Sequence, residues 1–314
     1  MSTFPAHDTN SSTFLLTGFP GLKKYYPWLS IPFSCIYAMV LSGNCLVLHV
    51  IHTEASLHEP MFYFLAMLAL TDLCMGLCTV HTVLGILWGI SQEISLDACI
   101  AQTFFIYGLS GMESGILLSM AFDRFTAISN PLRYTSILTN ARIIKIGLGI
   151  LVRSFILIMP PIIRLKLFHY CRSHVLSYSF CLHQDLLRLA CSDIHFNSFY
   201  ALALVICNLL FDSVLIIISY ILILHSVWAI ASREERFKSF QTCFSHICAV
   251  LVFYIPIIGL TMVHRFGKHL SPIVHVLMGN IYIIFPPLMN PIIYSVKTQQ
   301  IRGRIQRLFS MKRK

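Results

Sequence analysis

Residues 25–53 read YYPWLSIPFSCIYAMVLSGNCLVLHVIHT and contain no Asp, Glu, Lys or Arg. The stretch is longer than the roughly 20 apolar residues that a helix needs to cross a bilayer. Of the 314 residues, 56% are hydrophobic and 11% are charged, whereas a soluble domain carries roughly 25% charged residues. This composition excludes a soluble enzyme, a disordered scaffold and a free nucleic-acid binder. The sequence therefore predicts an integral membrane protein.

Six further apolar stretches follow the first. They are Leu73–Gln92 (reaching back to about Pro60), Ile100–Ile128, Ile143–Ile163, Phe196–Ala231, Ser239–His264 and His269–Val296. Open strands cannot span lipid, so we predict an all-α membrane protein with a seven-transmembrane helix bundle. We assign residues 1–27 to an N-terminal segment, 28–296 to the bundle and 297–314 to an amphipathic helix and tail. In that tail, Ile301, Ile305, Leu308 and Phe309 recur at helical spacing among arginines.

The distribution of basic residues predicts the orientation in the plasma membrane. Lys and Arg are more numerous in connections 129–145 and 232–238 and in the tail than on the opposite side, which favours a cytoplasmic C-terminus and an extracellular N-terminus. The glycosylation sequon at Asn10 agrees with this weakly. The net charge of +10 then indicates attraction to anionic membrane lipid and not to nucleic acid.

Four cysteines fall on the predicted outer side, where disulfides persist: Cys99, Cys171, Cys181 and Cys191. Four cysteines allow three pairings, and the residues alone leave all three open.

Ionisable residues within the spans are functional candidates because charge at membrane depth is costly. If spans two and three are neighbours, Asp72 and Glu113 cannot both ionise unaided, so a bound cation or a shared proton is expected. The alternative is a structural polar network, to which Asn44 and Asn290 would contribute.

The spans contain two further isolated charges, and two motifs lie near the predicted inner side. We expect Arg153 and Asp212 to be paired or snorkelling. The Asp123-Arg124 pair can exchange partners and so form a switch, or it is an ordinary interfacial ion pair. Pro286, Pro287 and Pro291 interrupt the hydrogen-bond ladder of span seven and predict a kink.

The motifs together resemble those of rhodopsin-like G-protein-coupled receptors, and within them the olfactory receptors. The resemblance rests on the following segments: Gly43-Asn44, residues 60–65 (PMFYFL), residues 120–134 (MAFDRFTAISNPLRY), residues 238–246 (KSFQTCFSH) and residues 290–294 (NPIIY). The chain departs from the usual family residues at Phe122, Phe125, Ser129 and Gln241.

Residues 179–185 (SFCLHQD) and 263–267 (VHRFG) resemble the class I, fish-like olfactory receptors. The resemblance implies disulfides Cys99–Cys181 and Cys171–Cys191, and a sodium-binding pair formed by Asp72 and Glu113. It implies no other cofactor. It places a ligand pocket between spans three, five and six at Tyr107, His183, Gln184, Tyr254, Thr261 and Arg265. It also implies an inner activation switch formed by Asp123, Arg124, Tyr220 and Tyr294.

The proposed pocket also has a physical rationale. Thr261 and Arg265 are four residues apart and share one helix face. Arg265 can bind a carboxylate through two hydrogen bonds; the alternative is a rim charge that pairs with Asp185. Ile106 stands where amine receptors carry an aspartate, which disfavours an amine ligand.

The resemblance predicts an odorant receptor for a small organic ligand, with a carboxylic acid as the expected class. It would activate a stimulatory G protein of the olfactory type and raise cyclic AMP. The alternative is a secondary transporter or proton-coupled carrier that uses Asp72 and Glu113, although inverted repeats are missing and the span count is odd. Enzyme motifs such as His-Glu-x-x-His and Gly-x-Ser-x-Gly are absent, so no enzyme is expected.

Overall fold

A computed structural model describes residues 13–171, 174–229, 233–267 and 269–311 of the chain. Seven helices are long and apolar enough to cross a membrane, which confirms the predicted bundle. In chain order, spans one to seven are α1 (Tyr26–Thr53), α2 (Pro60–Leu87), α3 (Leu96–Ser129), α5 (Asn140–Leu167), α7 (His195–Ala229), α8 (Arg233–Phe266) and α9 (Pro272–Lys297).

In the described part of the chain, three shorter α-helices lie outside the spans. They are α4 (Tyr134–Ile137), α6 (His183–Leu189) and α10 (Gln299–Met311). In α10, Ile301 is fully buried, and Arg304 Nη2 lies 3.2 Å from Glu54 Oε2 in the connection after span one. The side chains of Leu308 and Phe309 are outside the described part of the chain. The amphipathic helix thus packs under the bundle with its apolar side inward.

A three-stranded sheet, which the sequence did not predict, covers the opposite end of the bundle. Strand β1 (Thr13–Leu16) pairs antiparallel with β2 (Glu93–Ser95) and parallel with β3 (Val175–Leu176), giving the order β2-β1-β3. Phe14 and Leu16 of β1 are buried while alternate residues face out. The predicted glycosylation site at Asn10 lies outside the described residues.

Span two is shorter than the sequence predicted. It ends at Leu87, not at Gln92, because Gly89 turns the chain with a φ of 70° and residues 93–95 join the sheet. A positive φ costs glycine little since it has no Cβ.

Two disulfides fix the connection between spans four and five: the first ties it to span three, and the second closes a loop within it. Cys99 pairs with Cys181 and Cys171 pairs with Cys191, as the family resemblance implied. Gln102, one turn after Cys99, reinforces the first link: its Oε1 accepts from Cys181 N at 2.8 Å, and its Nε2 donates to Cys78 O at 3.0 Å. We call this end, defined by the two disulfides, the disulfide end, and the end that carries α10 the tail end.

Side chains from neighbouring spans satisfy carbonyls that prolines leave without a donor. Pro291 lacks the N–H that would reach Pro287 O, and Asn44 Nδ2 of span one donates to that carbonyl at 2.9 Å. The hydroxyl of Tyr200 likewise donates to Leu157 O at 2.9 Å, four residues before Pro161. The helices therefore run through their prolines, and these contacts lock neighbouring spans together.

Candidate ligand-binding site

A cavity of about 130 Å³ opens inside the bundle at the disulfide end, between spans three to seven and under α6. Five of the six predicted pocket residues line it: Tyr107, His183, Gln184, Thr261 and Arg265. Tyr254 is not among the lining residues. It lies below the cavity, where its hydroxyl is 3.1 Å from Ser114 Oγ. Span four, through Ile158, Pro161 and Ile162, and span seven, through Tyr282, contribute walls that the sequence did not predict.

The exposed side chain of Arg265 stands at the cavity mouth. The predicted alternative, an ion pair with Asp185, is not formed: Asp185 is buried and Oδ2 accepts from Ser177 N at 2.6 Å. Burial raises the pKa of Asp185 above its usual value. No carboxylate in the described part of the chain forms an ion pair with Arg265. Its charge is therefore available to a ligand.

His183, on the loop helix α6, presents a neutral imidazole to the cavity. Asn197 Nδ2 donates to Pro161 O at 2.8 Å and lies 3.3 Å from His183 Nε2. Because an amide nitrogen only donates, Nε2 must accept, and the ring proton resides on Nδ1. Nδ1 has no partner in the described structure. Burial lowers the pKa of His183 to about 4, so the ring is an uncharged donor near neutral pH.

A polar network forms the cavity floor and joins four spans. Ser114 Oγ donates to Asp212 Oδ2 at 2.7 Å, and Asp212 accepts two further hydrogen bonds from Arg153, at 3.1 and 2.9 Å. Since the Ser114 proton is directed to Asp212, the Tyr254 hydroxyl must be the donor in its contact with Ser114. Arg153 and Asp212, each expected to be paired or snorkelling, are paired with each other. The role of Ser114 was missed because a lone serine in a span carries no distinctive sequence signal.

The two candidate sodium ligands meet in the core. Asn290 Nδ2 donates to Asp72 Oδ2 at 2.9 Å and to Glu113 Oε1 at 3.2 Å, and all three side chains are buried. Asp72 Oδ1 and Asn290 Oδ1 have no hydrogen-bond partner within the described residues. Oxygen ligands of this kind suit a hard cation such as Na⁺, so the residues present fit the ion.

The predicted switch residues lie at the tail end. Arg124 bonds Asp123 Oδ2 through Nε at 3.0 Å and Nη2 at 2.5 Å, while the Tyr134 hydroxyl donates to Asp123 Oδ1 at 2.7 Å. Tyr220 contacts Nδ1 of His246 on span six instead of Arg124. The Tyr294 hydroxyl is buried and has no partner in the described structure.

A second cavity, of about 590 Å³, lies at the tail end. Arg124, Tyr134, His246 and Tyr294 line it. The sequence did not predict a role for His246, although the residue closes the span-six segment KSFQTCFSH. Arg124 therefore borders an open space at the tail end of the bundle.

The seven spans and the disulfide from span three to the loop define a seven-helix protein of the rhodopsin fold. Squid rhodopsin superimposes with a TM-score of 0.72 over 91% of this chain and 81% of its own, at 18% identity. At that identity the likeness shows the fold alone.

Sequence comparisons then define the family. The family model described as "Olfactory receptor" matches residues 33–312. "Olfactory receptor 51V1" of Homo sapiens is 76% identical over 312 residues, covering 99% of this chain and 97% of its own. "Olfactory receptor 51B5" of Homo sapiens is 56% identical over 304 residues, covering 97% of both chains.

The chain belongs to the olfactory receptor family, in its class I group. It is accordingly an odorant receptor, a multi-pass protein of the plasma membrane that takes a small-molecule ligand and a G-protein partner, and it is not an enzyme.

Proposed function

We propose that the ligand is a small carboxylic acid held by Arg265 at the mouth of the disulfide-end cavity. The observation that carries this proposal is the Arg265 guanidinium, which forms no ion pair within the described residues and lines the same cavity as the neutral imidazole of His183. A guanidinium offers a carboxylate two parallel hydrogen bonds. Thr261 lies one turn below Arg265, and its Oγ1 donates to Ile257 O at 2.8 Å. Its oxygen can therefore accept a hydrogen bond. A bound carboxylate could instead compete with Ile257 O for the hydroxyl proton.

The cavity size limits the ligand to a short chain. An engineered apolar cavity of about 150 Å³ binds benzene, and this cavity measures about 130 Å³. Each buried methylene adds about 0.8 kcal/mol. Potency should therefore rise with chain length and fall once the cavity is full.

The features of the two ends support a proposed orientation and a proposed partner. The disulfides and the sheet would face the exterior, with Asn10 glycosylated, and the tail end would face the cytoplasm, with basic α10 against anionic lipid. A stimulatory G protein of the olfactory type would enter the cavity lined by Arg124 and raise cyclic AMP. Ligand binding would favour this state by binding it more tightly than the resting state.

Sodium would bind at Asp72 and Glu113, with the unpartnered Asn290 Oδ1 as a further ligand. The ion would neutralise adjacent carboxylates that otherwise repel each other. No other cofactor enters the proposal.

The test is cyclic AMP in cells that display the receptor, dosed with straight-chain acids of two to nine carbons. Arg265→Ala should abolish the response and Arg265→Lys should weaken it, because lysine cannot make the two-bonded contact. Arg164→Ala is the matched control: this cation lies at the same end, 4.6 Å above the Phe196 ring. Equal potency in wild type and Arg265→Ala, at equal surface expression, would remove Arg265 from the site.

A further inference from the structure

The floor of the ligand cavity carries a polar side chain that the receptor itself leaves unused. Asn208 of span five lines the cavity and is half-buried. Its amide forms no hydrogen bond within the described residues. An amide in apolar surroundings costs free energy unless it is paired. Asn208 therefore has spare capacity to both donate and accept.

The position of Asn208 follows from the polar network below it. Spans three and five run in the same direction, and Ser114 of one donates to Asp212 of the other at 2.7 Å. One turn toward the disulfide end, four residues earlier on each helix, stand Ser110 and Asn208. Both line the cavity. They therefore line the cavity at the same level, one turn above the floor.

Ser110 and Asn208 differ in their availability. Ser110 is buried, and its side chain interacts with that of Tyr282 of span seven. The walls between this level and the mouth are apolar, formed by Ile158, Val205, Ile257 and Leu260. The cavity is thus polar at the mouth, apolar along its length and polar again at the base, where Asn208 is the group without a partner in the described structure.

We propose that Asn208 forms a second polar subsite, which selects ligands with a hydroxyl or carbonyl group at the end opposite the acid. This inference rests on the proposed acid-binding function and specifies its ligand as bifunctional, an ω-hydroxy or ω-keto acid. Ala201 and Asn208 of span five both line the cavity, and they are separated by a rise of about 10 Å at 1.5 Å per residue. A short chain with polar groups at both ends fits that separation.

The experiment compares pairs of ligands with equal numbers of heavy atoms. Each ω-hydroxy acid of four to eight carbons is set against the alkanoic acid that has a methyl group in place of the hydroxyl. The cyclic AMP EC50 and the ligand-induced rise in melting temperature of the purified receptor are measured for wild type and Asn208→Leu. Ile206→Leu, on the exposed side of the same helix, is the matched control.

Wild type should favour the hydroxy acid at one chain length, and Asn208→Leu should shift the preference by about tenfold or more toward the alkyl acid. The control should keep the wild-type preference. An unchanged preference in Asn208→Leu, with acids still active on wild type, would overturn the subsite and leave the proposed function intact.

Failure of the proposed function has a different signature. If no acid activates or stabilises wild type, the same comparison is made with 1-heptanol and 1,6-hexanediol. If wild type prefers 1,6-hexanediol and Asn208→Leu removes that preference, the result supports the Asn208 subsite even though the ligand is not an acid. Equal behaviour of the two alcohols, or stabilisation by neither, overturns it.

Discussion

Arg153 and Asp212 form an ion pair with two hydrogen bonds inside the membrane-spanning bundle, Nη1 to Oδ1 at 3.1 Å and Nη2 to Oδ2 at 2.9 Å. The Asp212 side chain is completely buried, whereas that of Arg153 is 31% exposed. The pair couples spans four and five and, through Ser114 and Tyr254, reaches spans three and six. A ligand in the cavity above this network therefore lies against a group of side chains that connects four helices.

Removing one member of this pair should destabilise the receptor. Breaking a buried ion pair costs about 3–5 kcal/mol because the remaining charge loses its partner, and the partial exposure of Arg153 places the cost at the lower end. Asp212→Leu and Arg153→Met should each lower the melting temperature and surface expression. The double variant should recover most of the loss.

Lys166→Ala is the matched control for this prediction, since Lys166 and Asp97 form a 3.1 Å ion pair whose side chains are 68% and 77% exposed. Exposed pairs contribute little, so its melting temperature should stay at the wild-type value. A double variant as unstable as the sum of the two single variants would show that the pair has no coupling energy.

Sodium should act through Asp72. We expect rising NaCl, against choline chloride at equal ionic strength, to stabilise wild type and lower its basal cyclic AMP. Asp72→Asn should abolish the difference because it removes one of the two anionic ligands that Asn290 bridges. Identical sodium and choline curves in wild type would argue for the shared proton instead.

Asn197 should be a positioning residue for His183. Asn197→Leu removes the donor to Nε2 and to Pro161 O, so the imidazole proton can move from Nδ1 to Nε2. We expect the potency of carboxylic acid ligands to fall about tenfold, which corresponds to the loss of one charge-assisted hydrogen bond. Asn197→Asp lacks the amide donor and should fail likewise, whereas His183→Ala should make the Asn197 substitution nearly silent. Additive losses in that double variant would contradict the mechanism.

Receptor stability should fall in acid through His183. Its pKa is about 4 in the folded receptor, below the ordinary value of 6.5, so the unfolded chain binds the extra proton between these values. The stability that the neutral His183 ring contributes is fully present above pH 6.5 and is lost as the pH falls toward 4. At pH 5 the loss is ~2 kcal/mol. The melting temperature of His183→Asn should therefore fall less than that of wild type between pH 7 and pH 5. An equal fall in both proteins would show that His183 does not cause the acid sensitivity.

The contact of spans three and four should depend on Gly108. A Cβ at this position would lie 2.3 Å from Phe155 Cε1, so Gly108→Ala must displace the ring. Overpacking of this kind costs about 1–3 kcal/mol. Phe155→Leu combined with Gly108→Ala should restore part of the melting temperature. Gly149→Ala, where a Cβ meets nothing within 4 Å, is the control and should be neutral or slightly stabilising.

The sequence alone supported the bundle because span length and the scarcity of charge follow directly from the thickness of the hydrocarbon core. The motifs around Asp123-Arg124 and Pro291 are runs of consecutive residues, so they indicate the family without any tertiary contact. Local rules also predicted that α10 is amphipathic, since helical spacing is a property of consecutive residues.

The tertiary structure decided what no local pattern contains. The sheet that joins β1 to two distant loops, the floor formed by Ser114 and Asp212, and the separation of Tyr254 from the cavity all depend on residues far apart in the chain. Nothing in the sequence distinguishes Asn208 from other polar residues. Packing places its side chain in a cavity, where it has no partner among the described residues. Hydrophobic length determines how many helices cross the membrane, but side-chain packing and directional hydrogen bonds determine which faces meet, and the ligand site is built from those faces.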